Sequence, residues 1–390
     1  MTGLELDVAL VSGRREPAIG RARVAIDAAG VVASIDRVDS RDGGAAPPRL
    51  LVPPVTDLHL DVLRERRRPR AGVELELERA VAMLDAELAA SGYATVCVCA
   101  RFEESPENGV RLADALRLCE LIERDGGRLG CEWLVHARVE VTDAGVVEEL
   151  EHAIAVTSRL ALVSVMDHSA ERSRFHSVDA HREYYARDWS LAPDEVDRMI
   201  ERKRSGAAAA PERRAAVAEL ARANDLPLAT HDDRDPADVL DAALLGAGVS
   251  EFPLSLEAAL AARERGITVV LGAPNAVRGR STSPANLTVA EAIAAGACDA
   301  LCADYLPNAM LAAPFALAAS GVGELGAAFA LVSGAPARIL SRPEPRIEAG
   351  EPLDGVLVEM LGSTPVAVAR WRDGELLWSR SALAGIASVA

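Results

Sequence analysis

The sequence has 390 residues, of which 50% are hydrophobic and 26% are charged, and a chain of this kind can bury a large core. Its formal net charge of −17 argues against general nucleic-acid binding. It has no run of 18 apolar residues, and it starts without a basic segment followed by an apolar one. These features argue against a membrane span and a secretory signal, so we expect a cytoplasmic protein with no membrane partner.

Both ends of the chain are predicted to be β-rich. Short strands of alternating apolar residues are predicted at 4–11 and 22–35, with a turn at Gly30, and again at 353–359, 365–370 and 375–379. Gly, Pro and charged residues at 40–49 indicate a linker. Two β-rich ends around a different middle predict one small β-sandwich domain, built from residues 1–52 and 343–390.

The middle of the chain alternates short apolar strands with longer helical patterns. Strands are predicted near 51–58, 94–100, 132–139, 161–166, 227–230, 248–252, 268–272 and 299–303, and helices over 74–91, 110–124, 144–158, 193–224, 235–245, 255–265, 288–296 and 308–319. This alternation predicts an α/β fold, a (β/α)8 TIM-type barrel over residues 53–342. The stretch 169–226 is long enough to contain an extra strand or a helical lid.

Candidate metal ligands follow the predicted barrel strands. The first strand ends in Asp57, His59 and Asp61, which strict alternation would place on one face. Later strands end in Glu140, Asp167-His168, His231-Asp232 and Asp304. Active sites of such barrels lie at the carboxyl ends of the strands, and imidazole and carboxylate groups bind divalent cations. The pattern therefore predicts a metal site at one end of the barrel.

Several segments carry a resemblance to a known family. They are Asp57-Leu-His-Leu-Asp61, His136-Ala-Arg-Val-Glu140, Met166-Asp-His168, Glu183-Tyr-Tyr185, Thr230-His-Asp-Asp233, Glu251-Phe-Pro253, Gly272-Ala-Pro-Asn-Ala-Val-Arg-Gly279 and Ala303-Asp-Tyr305. Together they resemble the amidohydrolase superfamily and, within it, the phosphonate-metabolism branch of ribose 1-methylphosphonate 5-triphosphate diphosphatases. Val62 departs from that family's pattern, which has Asn at this position. A relative of the family that acts on an altered substrate is therefore an open alternative.

The resemblance implies two divalent metal ions, zinc or manganese. The ligands that it implies are His59, Asp61, Glu140, His168, His231 and Asp304, with Glu140 able to bridge the two ions. Asp304 would also be the catalytic residue, because it would orient the attacking water and accept its proton. Asp232 would orient His231 from behind, although a turn-capping role fits its position equally well.

A phosphorylated substrate requires cations near such a site. Arg278 and Arg280 lie in a Gly-containing loop after a barrel strand, and guanidinium groups bind phosphate through paired hydrogen bonds. Asn275 and Tyr305 lie at strand ends, where they either contact the substrate or pack. We expect the two arginines to bind the substrate.

The other basic residues are expected to have structural or solvated roles. Arg138 and His136 share the predicted face of Glu140, so we expect them to form a buried network below it. Five arginines in the stretch 64–70 follow the first strand. Such a charge run is usually a solvated face, and contact with the substrate is the alternative.

The resemblance implies a metal-dependent hydrolase that acts on a phosphoanhydride and releases pyrophosphate from a ribose 1-phosphonate 5-triphosphate. One alternative is an amidohydrolase on the same barrel that opens a cyclic amide or deaminates a small base. Another is a metal-free scaffold. The expected partners are a small anionic phosphorylated substrate and a second copy of the chain in a homodimer, with no nucleic acid.

Overall fold

The fold is given by a computed structural model that describes residues 3–11, 20–38, 49–70, 72–169, 172, 179, 182–183, 186, 191–283 and 285–380. Most of the predicted linker lies outside these residues, as do Tyr184 and Tyr185 of the Glu183–Tyr185 motif. Within the described ranges, no helix is both long and apolar enough to cross a bilayer.

The strands form two sheets. The amino-terminal strands β1 (Leu4–Leu10), β2 (Arg21–Ile26), β3 (Val32–Arg37) and β4 (Arg49–Val52) belong to the first sheet. The second sheet contains β5 (Val55–Leu60), β6 (Tyr93–Phe102), β7 (Glu132–Glu140), β8 (Leu160–Met166), β9 (Leu228–His231), β10 (Val249–Glu251), β11 (Thr268–Gly272) and β12 (Ala300–Cys302). The carboxyl-terminal strands β13 (Gly355–Leu361), β14 (Thr364–Arg372) and β15 (Glu375–Ser379) complete the first sheet.

Thirteen α-helices are described. They are α1 (Leu63–Arg67), α2 (Leu77–Ala90), α3 (Leu112–Asp125), α4 (Val146–Val156), α5 (Pro193–Gly206), α6 (Ala210–Ala223), α7 (Pro236–Leu245), α8 (Leu256–Glu264), α9 (Ala273–Arg278), α10 (Val289–Ala294), α11 (Ala309–Ala319), α12 (Leu325–Ala330) and α13 (Gly334–Ile339). The long connection 169–226 contributes α5 and α6. Because β8 pairs directly with β9, no strand is inserted between them in the sheet, and the described residues 193–223 of this connection are helical.

The eight strands of the second sheet are parallel and lie side by side in chain order. The predicted (β/α)8 barrel is therefore confirmed. One interior cluster draws residues from all eight strands: Leu58, Cys97, Leu134, Leu162, Ala229, Val249, Val270, Ala300 and Cys302. The larger cluster packs the opposite faces of the strands against the helices, for example Val96 and Val135 against Leu84 and Leu118. Burial on both faces explains the continuous apolar runs in the sequence.

The first barrel strand does not alternate strictly between its two faces. Asp57 pairs with Val96 and Leu60 pairs with Val98, so three steps on β5 oppose two steps on β6. Such a β-bulge bends the strand and re-aims its side chains. As a result Leu58 joins the interior cluster while Leu60 packs toward the helices. The expectation of strict alternation along this strand was therefore wrong, since Leu58 and His59 both lie inside the barrel.

The barrel closes where β5 meets the end of β12. The amide of Asp61 donates to the carbonyl of Asp304 at 2.7 Å, and the amide of Asp304 donates to the carbonyl of His59 at 2.8 Å. The buried carboxylate of Asp57 strengthens this seam, because its Oδ1 accepts from the amides of His59 at 3.1 Å and Ala303 at 3.0 Å. Backbone hydrogen bonds therefore fix the ends of these two strands against each other.

Strands from the two chain ends form one sheet, separate from the barrel sheet, as predicted. This mixed sheet has the order β15-β14-β13-β4-β1-β2-β3, and β4 joins the two ends by pairing with β1 and β13. An isolated antiparallel β-bridge pairs Val31, just before β3, with Pro352, shortly before β13. This bridge ties the β3 edge of the sheet back to the chain ahead of β13, so the sheet folds around one core. Gly30 makes the predicted turn at φ +82°, and the carbonyl of Gly374 lies where a Cβ would stand.

Substitution of Asp57 tests how strongly the hydrogen bonds between β5 and the end of β12 stabilise the barrel. Burial raises the pKa of the Asp57 carboxyl to about 6. Asp57→Ala should lower the free energy of unfolding by about 1–3 kcal/mol for each amide that loses its acceptor. Asp57→Asn keeps an acceptor oxygen and should lose less. Urea unfolding of the two variants measures the difference, and an equal loss in both would show that the amides of His59 and Ala303 do not depend on this oxygen.

Candidate active site

The strand register arranges the interior polar side chains in three levels toward the carboxyl end of the barrel. On β6 and β7, Cys99 lies beside His136, and Arg101 lies beside Arg138. Glu251 at the end of β10 pairs with His231 at the end of β9. Contacts across the barrel interior add to this register, because His59 on β5 meets Glu251 on β10, and Arg138 on β7 meets His231 on β9.

The deepest level contains two histidines and a glutamate, all fully buried. His59 Nδ1 lies 3.0 Å from Glu251 Oε1, and His136 Nε2 lies 3.6 Å from Glu251 Oε2. His136 Nδ1 is 3.0 Å from the carbonyl of Leu58. Burial lowers the pKa of His136 to about 3, so its imidazole is neutral, the form in which histidine binds metal.

The middle level is organised around a buried arginine. Arg138 donates through Nη1 to the carboxylate of Asp61, and its Nη2 lies 3.3 Å from His231 Nε2. His231 Nδ1 in turn lies 3.2 Å from Asp232 Oδ2. Arg138 thus belongs to a buried polar network as expected, and it places a cation of the protein between two of the predicted metal ligands, Asp61 and His231.

The outermost level contains a buried lysine. Glu140 Oε2 lies 2.7 Å from His168 Nδ1 and 3.6 Å from Lys203 Nζ. The ammonium of Lys203 also lies 2.9 Å from Asp143 and 3.3 Å from Glu103. Burial acts to lower the pKa of Lys203, but these three carboxylates outweigh it and raise the pKa above its ordinary value. The side chain of Lys203 therefore ties helix α5 to the barrel mouth.

Asp304 lies at the barrel seam in a left-handed backbone conformation, with φ +51°. Few residues other than glycine adopt this region, and such strain is concentrated at functional positions. Both of its backbone polar groups bond to β5. Its side chain is partly exposed. Burial acts to lower the pKa of His59, but Glu251 and, to a smaller extent, the charge of Asp304 raise this pKa above its ordinary value.

The predicted substrate contacts lie at the rim. Arg278 Nη1 lies 3.2 Å from the hydroxyl of Tyr305, and both side chains are exposed. Arg280 is exposed as well. Asn275 is different, because its Nδ2 donates to the carbonyl of Leu287 at 3.1 Å and its Oδ1 accepts from the amide of Val289 at 3.1 Å. The structure therefore brings Arg278 and Tyr305 together and gives the Asn275 side chain backbone partners.

Sequence reasoning assigned no role to Glu251, Cys99 or Lys203. Glu251 follows an apolar strand in the same way as the predicted ligands, and that signal was sufficient to find it. Lys203 is the sole lysine in an arginine-rich sequence, which singles it out without indicating a partner. Cys99 has no distinguishing signal in the sequence, since its proximity to His136 depends on strand register.

The donor atoms fit a divalent cation. Donor atoms of His59, Cys99 and His136 all lie within 4.8 Å of one another, and so do those of His168, His231 and Asp232. His59 Nε2 and His136 Nε2 are buried without a hydrogen-bond partner. Buried polar atoms are normally satisfied, and imidazole nitrogens, thiolates and carboxylates are the usual ligands of zinc.

Comparison with solved structures identifies the class of fold. The N-acetyl-D-glucosamine-6-phosphate deacetylase of Mycobacterium smegmatis superposes with a TM-score of 0.59 at 16% identity, covering 97% of this chain and 100% of that one. The L-hydantoinase (dihydropyrimidinase) of Arthrobacter aurescens superposes with a TM-score of 0.56 at 13% identity, covering 96% of each chain. These likenesses show that the chain has the same fold as these two enzymes. No protein-family model matches the chain.

A curated relative gives the family. The chain is 34% identical over 274 residues to the alpha-D-ribose 1-methylphosphonate 5-triphosphate diphosphatase of Escherichia coli (strain K12). The matched residues cover 69% of this chain and 71% of that protein. The chain therefore belongs to this diphosphatase family, as its motifs predicted. Family and fold together support a hydrolase.

Removing the buried lysine should destabilise the protein. Lys203→Met leaves Glu103, Glu140 and Asp143 without their shared cation, and breaking a buried ion pair from one side costs about 3–5 kcal/mol. Arg204→Met is the matched control, because the same helix carries it with a side chain that is 51% exposed, and it should change stability by less than ~0.5 kcal/mol. Denaturant unfolding compares the two, and similar losses would contradict this account.

Proposed function

We propose that this hydrolase cleaves a phosphoanhydride bond of a ribose 1-phosphonate 5-triphosphate and releases pyrophosphate. The observation that carries the proposal is the 34% identity to the diphosphatase over 274 residues. The segment Gly272–Gly279 and the acid at Asp61 support it, because both match the diphosphatase motifs by which the sequence resembled this branch.

The proposal includes two divalent ions, zinc or manganese, held by the side chains at the carboxyl end of the barrel. The ligands that we assign are His59, Asp61, Glu140, His168, His231 and Asp304. Bound ions supply counter-charge for phosphoryl oxygens and make water more acidic. Because Arg138 contacts both Asp61 and His231, a cation that binds these two side chains competes with its guanidinium for the same atoms.

The residues of the chain orient water and move its proton. Asp304 is the general base: a carboxylate oxygen accepts one proton from the attacking water while the water oxygen forms a bond to phosphorus. The bridging oxygen–phosphorus bond then breaks, and the bonding electrons leave with pyrophosphate. Asp232, beside His231 Nδ1, holds the orientation of that imidazole.

Binding of the sugar and its phosphonate requires contacts at the rim. We assign this role to Arg278, Arg280 and Tyr305, because the Arg278–Tyr305 pair presents a guanidinium and a hydroxyl to solvent beside Asp304. Asn275 contacts substrate only if one of its two backbone bonds is exchanged for a substrate bond. Its contribution within the proposal is to hold helix α9, which ends at Arg278.

The substrate assignment is tested by measuring pyrophosphate. Purified protein supplied with Zn²⁺ or Mn²⁺ should release pyrophosphate from a ribose 5-triphosphate that carries a C1 phosphonate, and a chelator should abolish the release until metal is restored. A cyclic amide and a small aminated base are run in parallel. Turnover of either of these without pyrophosphate release from the triphosphate would replace this function with the amidohydrolase alternative.

The general-base assignment is tested by Asp304→Asn. Asn has the same shape but lacks the basic oxygen, so kcat should fall on the order of 10²–10⁴-fold, while metal content measured by atomic absorption stays close to that of the parent protein. A variant that keeps metal and full turnover would exclude Asp304 as the base. The next candidate would then be Asp232.

A further inference from the structure

A cleft opens directly beside Asp61, on the side of the barrel where β5 and β6 end. Its walls come from α1, from the end of β6, from the turn at Gly109 and from the first half of α3. Five arginines line it: Arg64, Arg67, Arg68, Arg101 and Arg111. The lining carboxylates are Asp61 and Asp114, so guanidinium groups outnumber carboxylates on its surface.

Neighbouring acids hold these arginines in place. Arg67 contacts Glu74 at 2.8 Å and Asp114 at 3.2 Å, and Arg68 contacts the same Glu74 at 3.0 Å. The side chain of Arg67 is only 15% exposed, so this part of the arginine run is not a solvated face. A guanidinium fixed in this way loses little conformational entropy when it binds an anion.

Gly109 makes room for one of the guanidiniums. It has φ +69°, and a Cβ built at this residue would overlap the Arg68 guanidinium. The turn Ser105–Val110 therefore presents bare backbone against which Arg68 lies. This close approach keeps the charged end of Arg68 over the cleft.

The floor of the cleft is continuous with the candidate active site. Asp61 and Cys99 line the cleft, and Asp61 also accepts from Arg138 in the middle level of the barrel. Arg101, beside Arg138 in the strand register, lines the cleft too and contacts Glu103 at 2.6 Å. An anion that extends along the cleft therefore ends beside the proposed reaction centre.

We propose that this arginine cleft binds the polyphosphate end of the substrate, so that the leaving pyrophosphate lies between α1 and α3. This inference rests on the proposed function. Guanidinium groups match phosphoryl oxygens geometrically and bind them through paired hydrogen bonds. The net charge of −17 repels a polyanion from the rest of the surface, which makes a local group of cations necessary.

Binding of inorganic tripolyphosphate to the full-length, as-purified protein tests the cleft. Isothermal titration calorimetry should show Kd values raised on the order of tenfold or more by Arg64→Ala and by Arg68→Ala, because each loses charge-assisted hydrogen bonds. Arg66→Ala is the matched control. Arg66 lies on the same helix but contacts Glu87 at 2.7 Å and does not line the cleft, so its Kd should stay within about twofold.

Equal Kd values in all three variants and the parent would overturn the proposal. Removal of metal by tripolyphosphate affects every variant alike, so it cannot produce a difference between Arg66→Ala and the others. Arg68→Lys keeps the charge without the planar fork, and it should recover part of the affinity. Unchanged melting temperatures in the same samples show that the variants are folded.

A pyrophosphate-release assay distinguishes failure of this proposal from failure of the proposed function. If Arg64→Ala and Arg68→Ala weaken tripolyphosphate binding but the parent protein does not hydrolyse the ribose triphosphate, the cleft is supported and the function fails. If the triphosphate is hydrolysed and both variants keep the kcat/KM of the parent, the function is supported and the cleft assignment fails.

Discussion

The contact between β5 and the end of β12 is the constraint on which the candidate site depends. Four amide hydrogen bonds, two of them to the Asp57 carboxylate, lock His59, Asp61, Ala303 and Asp304 into one local frame. Backbone hydrogen bonds therefore set the positions of His59 and Asp61, which are proposed metal ligands, and of Asp304, the proposed base. The geometry of such bonds varies less than that of side-chain contacts. The bulge in β5 belongs to the same arrangement, since it places Leu58 and His59 both inside the barrel.

Carboxylates converge at the barrel mouth, and cations of the protein balance them. Arg138 balances Asp61, while Lys203 balances Glu103, Glu140 and Asp143. Buried carboxylates without such partners would strongly disfavour the folded chain. If Asp61 or Glu140 binds metal as proposed, binding exchanges one cation for another, and the affinity for metal then depends on how readily Arg138 and Lys203 move aside.

Much of the architecture could be predicted from the sequence because barrel strands are buried on both faces and read as apolar runs. The strands near 94–100, 132–139 and 268–272 lie within or match those in the structure. The polar contacts were less predictable, because they depend on long-range packing. Nothing local indicates that Lys203 reaches Asp143, or that Arg66 turns outward to Glu87 while the adjacent Arg67 turns inward to Asp114. The expectation of strict alternation along β5 was wrong because a bulge breaks the two-residue period of the strand.

The burial of Lys203 has a practical consequence. The sequence contains a single lysine, and its ammonium group is enclosed by three carboxylates with a side chain only 5% exposed. A reagent that acylates ε-amino groups therefore has one target in this sequence, and it reaches that target only when α5 separates from the barrel. The rate of acylation at Lys203 consequently reports how often this helix opens over the site, with no engineered label in the protein.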